Sequence, residues 1–252
     1  MSVLNILIYI AYFLFVILIV TFFSWSTIVL QRQKKAWHVF ATRHDLVYHN
    51  ARLMQAAAVE GNYKGYRIGL FSEGRVEEQR RGFIRFRTVI EVIFGESMPV
   101  RGALGNTDAA PVISYLNYGT NHIVEEQPNW DKNHIITAGD HAFIKEYLTP
   151  IRMKGLNNFF NMKNTTAMFV FNEKDTFLRL ETSNPMIEAD KIESLINKMV
   201  NLANVLKLEK SEAVANVPPE EVPPQTEQAP QEESALPPEN TPSDSDTDTK
   251  EE

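Results

Sequence analysis

Five arginines, Arg75, Arg80, Arg81, Arg85 and Arg87, fall within thirteen consecutive residues. Guanidinium groups at this density are suited to anions, because each offers a planar fork of donors and a permanent charge. Two anionic partners come into question, nucleic acid and lipid head groups. Glu73, Glu77 and Glu78 interrupt the cluster, the sequence pI is about 5.5, and no stacking aromatics are interleaved for bases. These features argue against nucleic acid. Anionic lipid is the better motivated partner, with Arg32, Lys34 and Lys35 as further cations and Arg85 and Arg87 as the strand-borne ones. The plain alternative is a solubilising hairpin face.

Other residue types offer less. His44 and His49 flank Asp45 in HDLVYH, and His134 precedes Asp140 and His141, but neither spacing places ligands one helical turn apart. Surface or capping histidines are the expectation, and no metal or other cofactor is implied. Glu60, Glu91 and Asp140 are available carboxylates, yet nothing in the sequence pairs them across a cleft. G-x-S-x-G, H-E-x-x-H, Walker A and G-x-G-x-x-G are all absent. Gly61 and Gly65 read as turn residues of a hairpin and not as a phosphate cradle. With no cysteine, a disulfide framework, thiolate metal sites and a thiol nucleophile are excluded. The expectation is a protein without enzymatic chemistry.

The elements that would position these residues begin with an anchor. From Val3 to Leu30 the chain is apolar with scattered hydroxyls, and the first basic residue is Arg32. At about 1.5 Å per residue such a helix exceeds a hydrocarbon core of about 30 Å. The leading MSVLN lacks the basic stretch of an export signal, so a retained span is predicted. Arg32, Lys34, Lys35 and Arg43 follow the span and no charged side chain precedes it, which puts the carboxyl-terminal side in the cytoplasm by the positive-inside bias. Few charges decide this, and a periplasmic domain is the alternative. Trp25 and Trp37 suit the interfacial belt. Trp37, Phe40 and Ala41 recur at helical spacing, so the helix is predicted to run past the bilayer and dock on the domain.

VEGNYKGYRIGLF predicts a hairpin turning at Lys64-Gly65, followed by a polar loop, SEGRVEEQRRG. FIRFRTVIEVIF alternates: Ile84, Phe86, Thr88, Ile90, Val92 and Phe94 share one face, and Arg85, Arg87 and Glu91 share the other. Residues 96–131 read as short strands, PVISYL and NHIV among them, and long loops. Asp140 suits the N-cap of a helix with Phe143, Ile144, Tyr147 and Leu148 on one face, and Pro150 ends it or opens the next turn. TTAMFVFNEKDTFLRLET predicts a second hairpin turning at Asn172 to Asp175. Pro185 is placed in the first turn of a last helix whose stripe is Ile192, Leu195, Ile196, Met199, Leu202, Ala203 and Leu206, with Lys207 and Lys210 complementing its dipole.

The class predicted is α+β: a transmembrane anchor over 1–31, one domain over 32–208 with a mostly antiparallel sheet packed by helices, and a tail over 209–252. Up to Leu208 there are 23 Lys and Arg against 19 Asp and Glu, and beyond it 2 against 13. The tail is rich in Pro and Glu and has almost nothing to bury, so disorder is predicted there.

A basic W-x-x-F-A helix after a span (Trp37, Phe40, Ala41), a V-x-G-x-Y-x-G-Y-R-I hairpin, Arg87-Thr88 in a strand, an L-T-P turn at Leu148 to Pro150 and a final amphipathic helix form a layout. It resembles that of bacterial single-pass membrane proteins of unknown function. The resemblance implies no activity and assigns no site residue. The function expected is a membrane-tethered scaffold or regulator with the bilayer and another protein as partners. A sensor binding an anionic lipid or small ligand through the sheet is the alternative, and an enzyme with unrecognised residues a third.

Overall fold

The computed structural model of the chain describes residues 3–50, 56–77, 83–118 and 130–208. The disorder expected for 209–252, the loop arginines Arg80 and Arg81, and the NHIV strand all lie outside these residues.

Helix α1, Val3–Arg43, is unbroken over 41 residues, or about 60 Å. Its apolar part has a mean hydropathy of 2.9 over 18 residues, none of them buried, which makes it long and apolar enough to cross a membrane. The last four turns differ. Gln33, Ala36, Trp37, Phe40 and Ala41 are buried in the core of the following domain. The helix therefore crosses position 31 without a hinge, and the same rod serves as span and as core element. Trp37 is fully buried and is not free for the interfacial belt, whereas Trp25 is 69% exposed.

Eight antiparallel strands follow. They are β1 Val47–His49, β2 Ala58–Tyr63, β3 Tyr66–Glu77, β4 Phe83–Phe94, β5 Gly102–Gly105, β6 Ile135–Ala138, β7 Thr165–Phe171 and β8 Thr176–Thr182, in the order β1-β2-β3-β4-β8-β7-β5-β6. The β2–β3 hairpin turns at Lys64-Gly65 as predicted, both residues having positive φ (51° and 85°), which matches the twist of the flanking strands. In the β7–β8 hairpin the Asn172 carboxamide oxygen accepts from the amides of Lys174 and Asp175 and so fixes the turn. Gly61 is not a turn residue. It pairs with Ile68 inside β2, and a Cβ there would come within 2.9 Å of Leu46 Cδ2, so the glycine admits the chain leaving α1.

The predicted polar loop after Phe71 is in part strand. β3 continues to Glu77 and pairs with β4 as far as Phe83. The pairing of β4 with β8 begins only at Thr88, and that of β2 with β3 ends at Leu70. Residues 73–77 and 83–87 thus extend beyond the body of the sheet as a two-stranded arm among the described residues, about 17 Å long at strand rise. Backbone pairing with its neighbour, which is insensitive to side-chain polarity, accounts for a strand where composition suggested a loop.

Three helices depart from expectation. PVISYL is not a strand but most of α2, Ala110–Leu116, reached through a 3-10 turn at Thr107–Ala109. Pro111 suits its first turn. Pro150 opens a full helix, α4 Pro150–Phe160, in which Thr149 caps the Arg152 amide. The last helix, α5 Ala189–Leu206, starts four residues after Pro185, which lies in the connection. Helix α3, His141–Tyr147, begins as predicted, with the Asp140 carboxylate accepting from the Phe143 amide at 3.1 Å. The seven stripe residues of α5 are all buried, among the sheet, α1 and α4. Burying that stripe supplies most of the drive for a helix of this length, at about 25 cal/mol per Å² of apolar surface.

Candidate functional site

The arm and α1 bound one open cavity. Its volume is about 810 Å³, within the range of small-molecule and lipid-chain sites. From α1 it is lined by Phe22, Trp25, Ser26, Val29, Leu30 and Gln33, residues that recur at three and four and hence form one helix face. Opposite stand Ser72 of β3 and Phe86 of β4, and the floor is closed by Ser183 and Pro185 after β8. Phe22 lies ten residues before the first cation, about 15 Å up the helix axis, so the cavity reaches into the apolar part of the span.

Its two ends differ in chemistry. Phe22, Trp25, Val29 and Phe86 make one end largely apolar, with the Ser26 hydroxyl among them; Gln33, Ser72 and Ser183 bring amide and hydroxyl groups to the other beside Leu30 and Pro185, and among the described residues no carboxylate lines it. Gln33 is 6% exposed as a residue, and its side chain lines the space. Phe86, 74% exposed, shares a strand face with the buried Thr88, Ile90, Val92 and Phe94. The predicted face is thus real along the body of the sheet, and Phe86 belongs to the part that has left the core.

The sequence-predicted cations are not brought together. Arg32 and Lys35 are exposed on α1 and Lys34 is half-buried there. Arg87 stands on the opposite side of the sheet, paired across the strands with Glu73 and donating to Thr166 Oγ1 at 3.0 Å. Alternation puts Arg85 on the Arg87 side; its side chain lies outside the described residues. That side holds a second cluster, missed from sequence because it joins β3, β4 and β8. Arg179 donates to Glu91 at 2.8 Å, to Glu181 at 3.0 Å and to Glu73. Burial pulls the Arg179 guanidinium down, but Glu181, Glu73 and Glu91 outweigh it and hold the group above its ordinary value. Three carboxylates around one guanidinium make this surface a poor receptor for another anion.

Among the described residues the histidines do not converge. His49 meets Glu60 at 2.8 Å. His134 is not a surface residue: it is buried between Trp130 and Phe160, with Nδ1 3.0 Å from the Asn157 carboxamide oxygen. Among the described residues no group of three or more His, Asp or Glu side chains is placed to share a metal ion.

Fold and cavity together define an α+β domain fused through a continuous helix to a single membrane-spanning segment. No protein-family model matches the sequence, and no curated protein matches it. Among solved structures, the mycobacterial trehalose monomycolate transport factor A aligns over 72% of this chain and 97% of its own, at 11% identity and a TM-score of 0.42. A likeness this distant transfers no property.

Proposed function

We propose that this chain is a single-pass membrane protein with its domain on the cytoplasmic side, which works without catalysis by engaging bilayer lipid at the junction of span and domain. The cations that follow the span, Arg32, Lys34 and Lys35, support the orientation. One observation carries the lipid reading: Phe86, on an arm beyond the sheet, lines the same cavity as Phe22 and Trp25 of the apolar helix. An isolated two-stranded ribbon is marginal in water, and burying a phenylalanine is worth about 1.5–3 kcal/mol. Contact with the acyl boundary would supply what the arm lacks. Arg32 and Lys35 remain the candidate contacts for anionic head groups, while the Arg85 and Arg87 side of the sheet loses that role to its carboxylates.

The absence of native cysteine gives a direct test. A spin label on Phe86→Cys, with the full chain in phospholipid vesicles, is expected to be more accessible to oxygen than to a water-soluble nickel complex. A label on Ile151→Cys, an exposed site on α4, is expected to show the reverse. If both positions report water, the reading fails.

A scaffold for another protein is the second reading. It is favoured by a depression of about 360 Å³ on the opposite sheet face, where Val112, Leu116, Met168 and Phe177 adjoin Arg179 and Glu181. An apolar floor with a charged rim is the anatomy of a protein contact. Crosslinking in native membranes that recovered only the protein itself would count against it.

A further inference from the structure

We infer that the cavity between α1 and the β3–β4 arm is a binding site for one glycerophospholipid of the adjacent leaflet, with an acyl chain at its apolar end and the glycerol and head-group region at its polar end. This rests on the membrane-proximal reading above and specifies the ligand of that site. Three observations carry it. First, the α1 wall is the same helix face, from Phe22 to Gln33, that rises out of the domain into the span, so the apolar end opens directly onto the hydrocarbon. Second, the lining is amphiphilic: Phe22, Trp25, Val29, Leu30 and Phe86 are apolar, while Ser26, Ser72, Ser183 and Gln33 bring hydroxyl and amide groups, with Gln33 at the domain end of the helix wall and Phe22 at its membrane end, a combination suited to a lipid. Third, Gln33 lines the cavity while the residue as a whole is only 6% exposed, so its side-chain amide is presented to the cavity rather than to open solvent. An ester carbonyl or phosphate oxygen of the occupant is a suitable acceptor for it.

The rim agrees with such an occupant. Arg32 lies seven residues after Trp25, two turns further along nearly the same helix edge, and is exposed. Its Cα is thus about 10 Å below that of Trp25 along the helix, on the side where a phosphate would sit. Among the described residues no acidic side chain lines the cavity to repel one.

The test uses the full chain in phosphatidylcholine vesicles doped with a phosphatidylcholine that carries a photoactivatable diazirine on one acyl chain close to the glycerol. Irradiation is expected to label peptides containing Ser72 or Ser183, which lie at the polar end and away from bulk hydrocarbon. Ser26→Trp on the helix wall and Ser183→Trp on the opposite wall each put an indole into the space from an exposed position, so neither disturbs the core. Each is expected to reduce labelling of the Ser72 peptide about tenfold, equivalent to ~1.4 kcal/mol. Gln33→Leu is expected to reduce it by a smaller factor. Label confined to α1 residues facing bulk lipid, or labelling of the Ser72 peptide unchanged by both tryptophans, overturns the inference. A Phe86 label that reports lipid in either case shows that the membrane-proximal reading stands without the site.

Discussion

The Trp37 indole donates its N–H to the Met186 carbonyl at 3.2 Å, joining the helix that leaves the membrane to the segment between β8 and α5 across 149 residues of sequence. Met186 holds a positive φ of 53°, and its own amide donates to the Asn184 side chain at 2.9 Å. An otherwise unfavourable backbone is thus pinned from both sides. The result is a buried indole and a hydrogen bond that tie the domain end of α1 to the connection between β8 and α5.

Replacing Trp37 separates packing from hydrogen bonding. Trp37→Phe, which keeps a ring, is expected to cost about 1–2 kcal/mol for the lost bond and part of the ring. Trp37→Ala is expected to cost about 3–5 kcal/mol, since a fully buried indole leaves a cavity. Thermal unfolding of the protein in detergent measures both. Equal losses would show that the docking of α1 does not depend on this side chain's volume.

Glu193 gives the domain an acid-sensitive joint. It accepts from Arg43 at 2.8 Å and stands 3.3 Å from the His44 ring, tying α5 to the end of α1. The hydrogen bond from Arg43 holds its carboxyl below the usual range. A depressed carboxylate contributes stability that is present above the unfolded value, near 4.3, and is lost as pH falls through the folded one. Melting temperature is therefore expected to drop below about pH 4.5, and to drop less in Glu193→Gln, which forfeits the contribution at every pH. Parallel pH profiles for the two proteins would refute this.

Two glycine substitutions should fail for different reasons. A methyl on Gly65 meets nothing within 4 Å, but φ is +85°, so Gly65→Ala is expected to cost about 1 kcal/mol of backbone strain alone. Gly102 has no such φ; a Cβ there overlaps the Phe171 ring and lies 3.0 Å from the Thr137 carbonyl. Gly102→Ala is expected to cost about 1–3 kcal/mol by overpacking, and trimming Phe171 to Leu should recover part of it. Chemical denaturation of the single and double variants checks the pair.

Arg152 closes the carboxyl-terminal end of α5. Its guanidinium, nearly buried, donates to the carbonyls of Tyr147 at 3.1 Å, Val205 at 3.3 Å and Lys207 at 2.8 Å, and lies over the Tyr147 ring. Arg152→Met keeps the stem but leaves those acceptors, so a loss of about 3 kcal/mol is expected. Arg152→Lys is expected to restore little, because one ammonium cannot span three carbonyls in a planar fork. Full recovery by lysine, read by thermal melting, would show that charge alone suffices.

Much of the architecture was legible because it follows from local chemistry. The apolar run to Leu30, the Lys64-Gly65 turn, the Asp140 cap and the seven-residue stripe of α5 each rest on neighbours in sequence, where periodicity and turn preference act directly. The failures are equally physical. PVISYL, read as a strand, is helical because its apolar residues pack on β5 and β7 through Ile113, a choice that periodicity cannot settle over six residues. The β3 half of the arm reads as a loop in sequence because its strand character comes from cross-strand pairing and not from its own composition, whereas the β4 half alternates as a strand by itself.

What the sequence determined by itself was a span, an antiparallel α+β domain and a set of cations; it could not say which residues would face one another. Arg87 and Arg32 look alike in a list of charges, but strand alternation sends one to a face crowded with Glu73, Glu91 and Glu181 and helix geometry leaves the other at the membrane exit. Only the tertiary structure brought Phe22 and Gln33 of α1 to the same cavity as Phe86 and Ser183, because that convergence depends on how a helix crosses a sheet, and nothing local encodes the crossing.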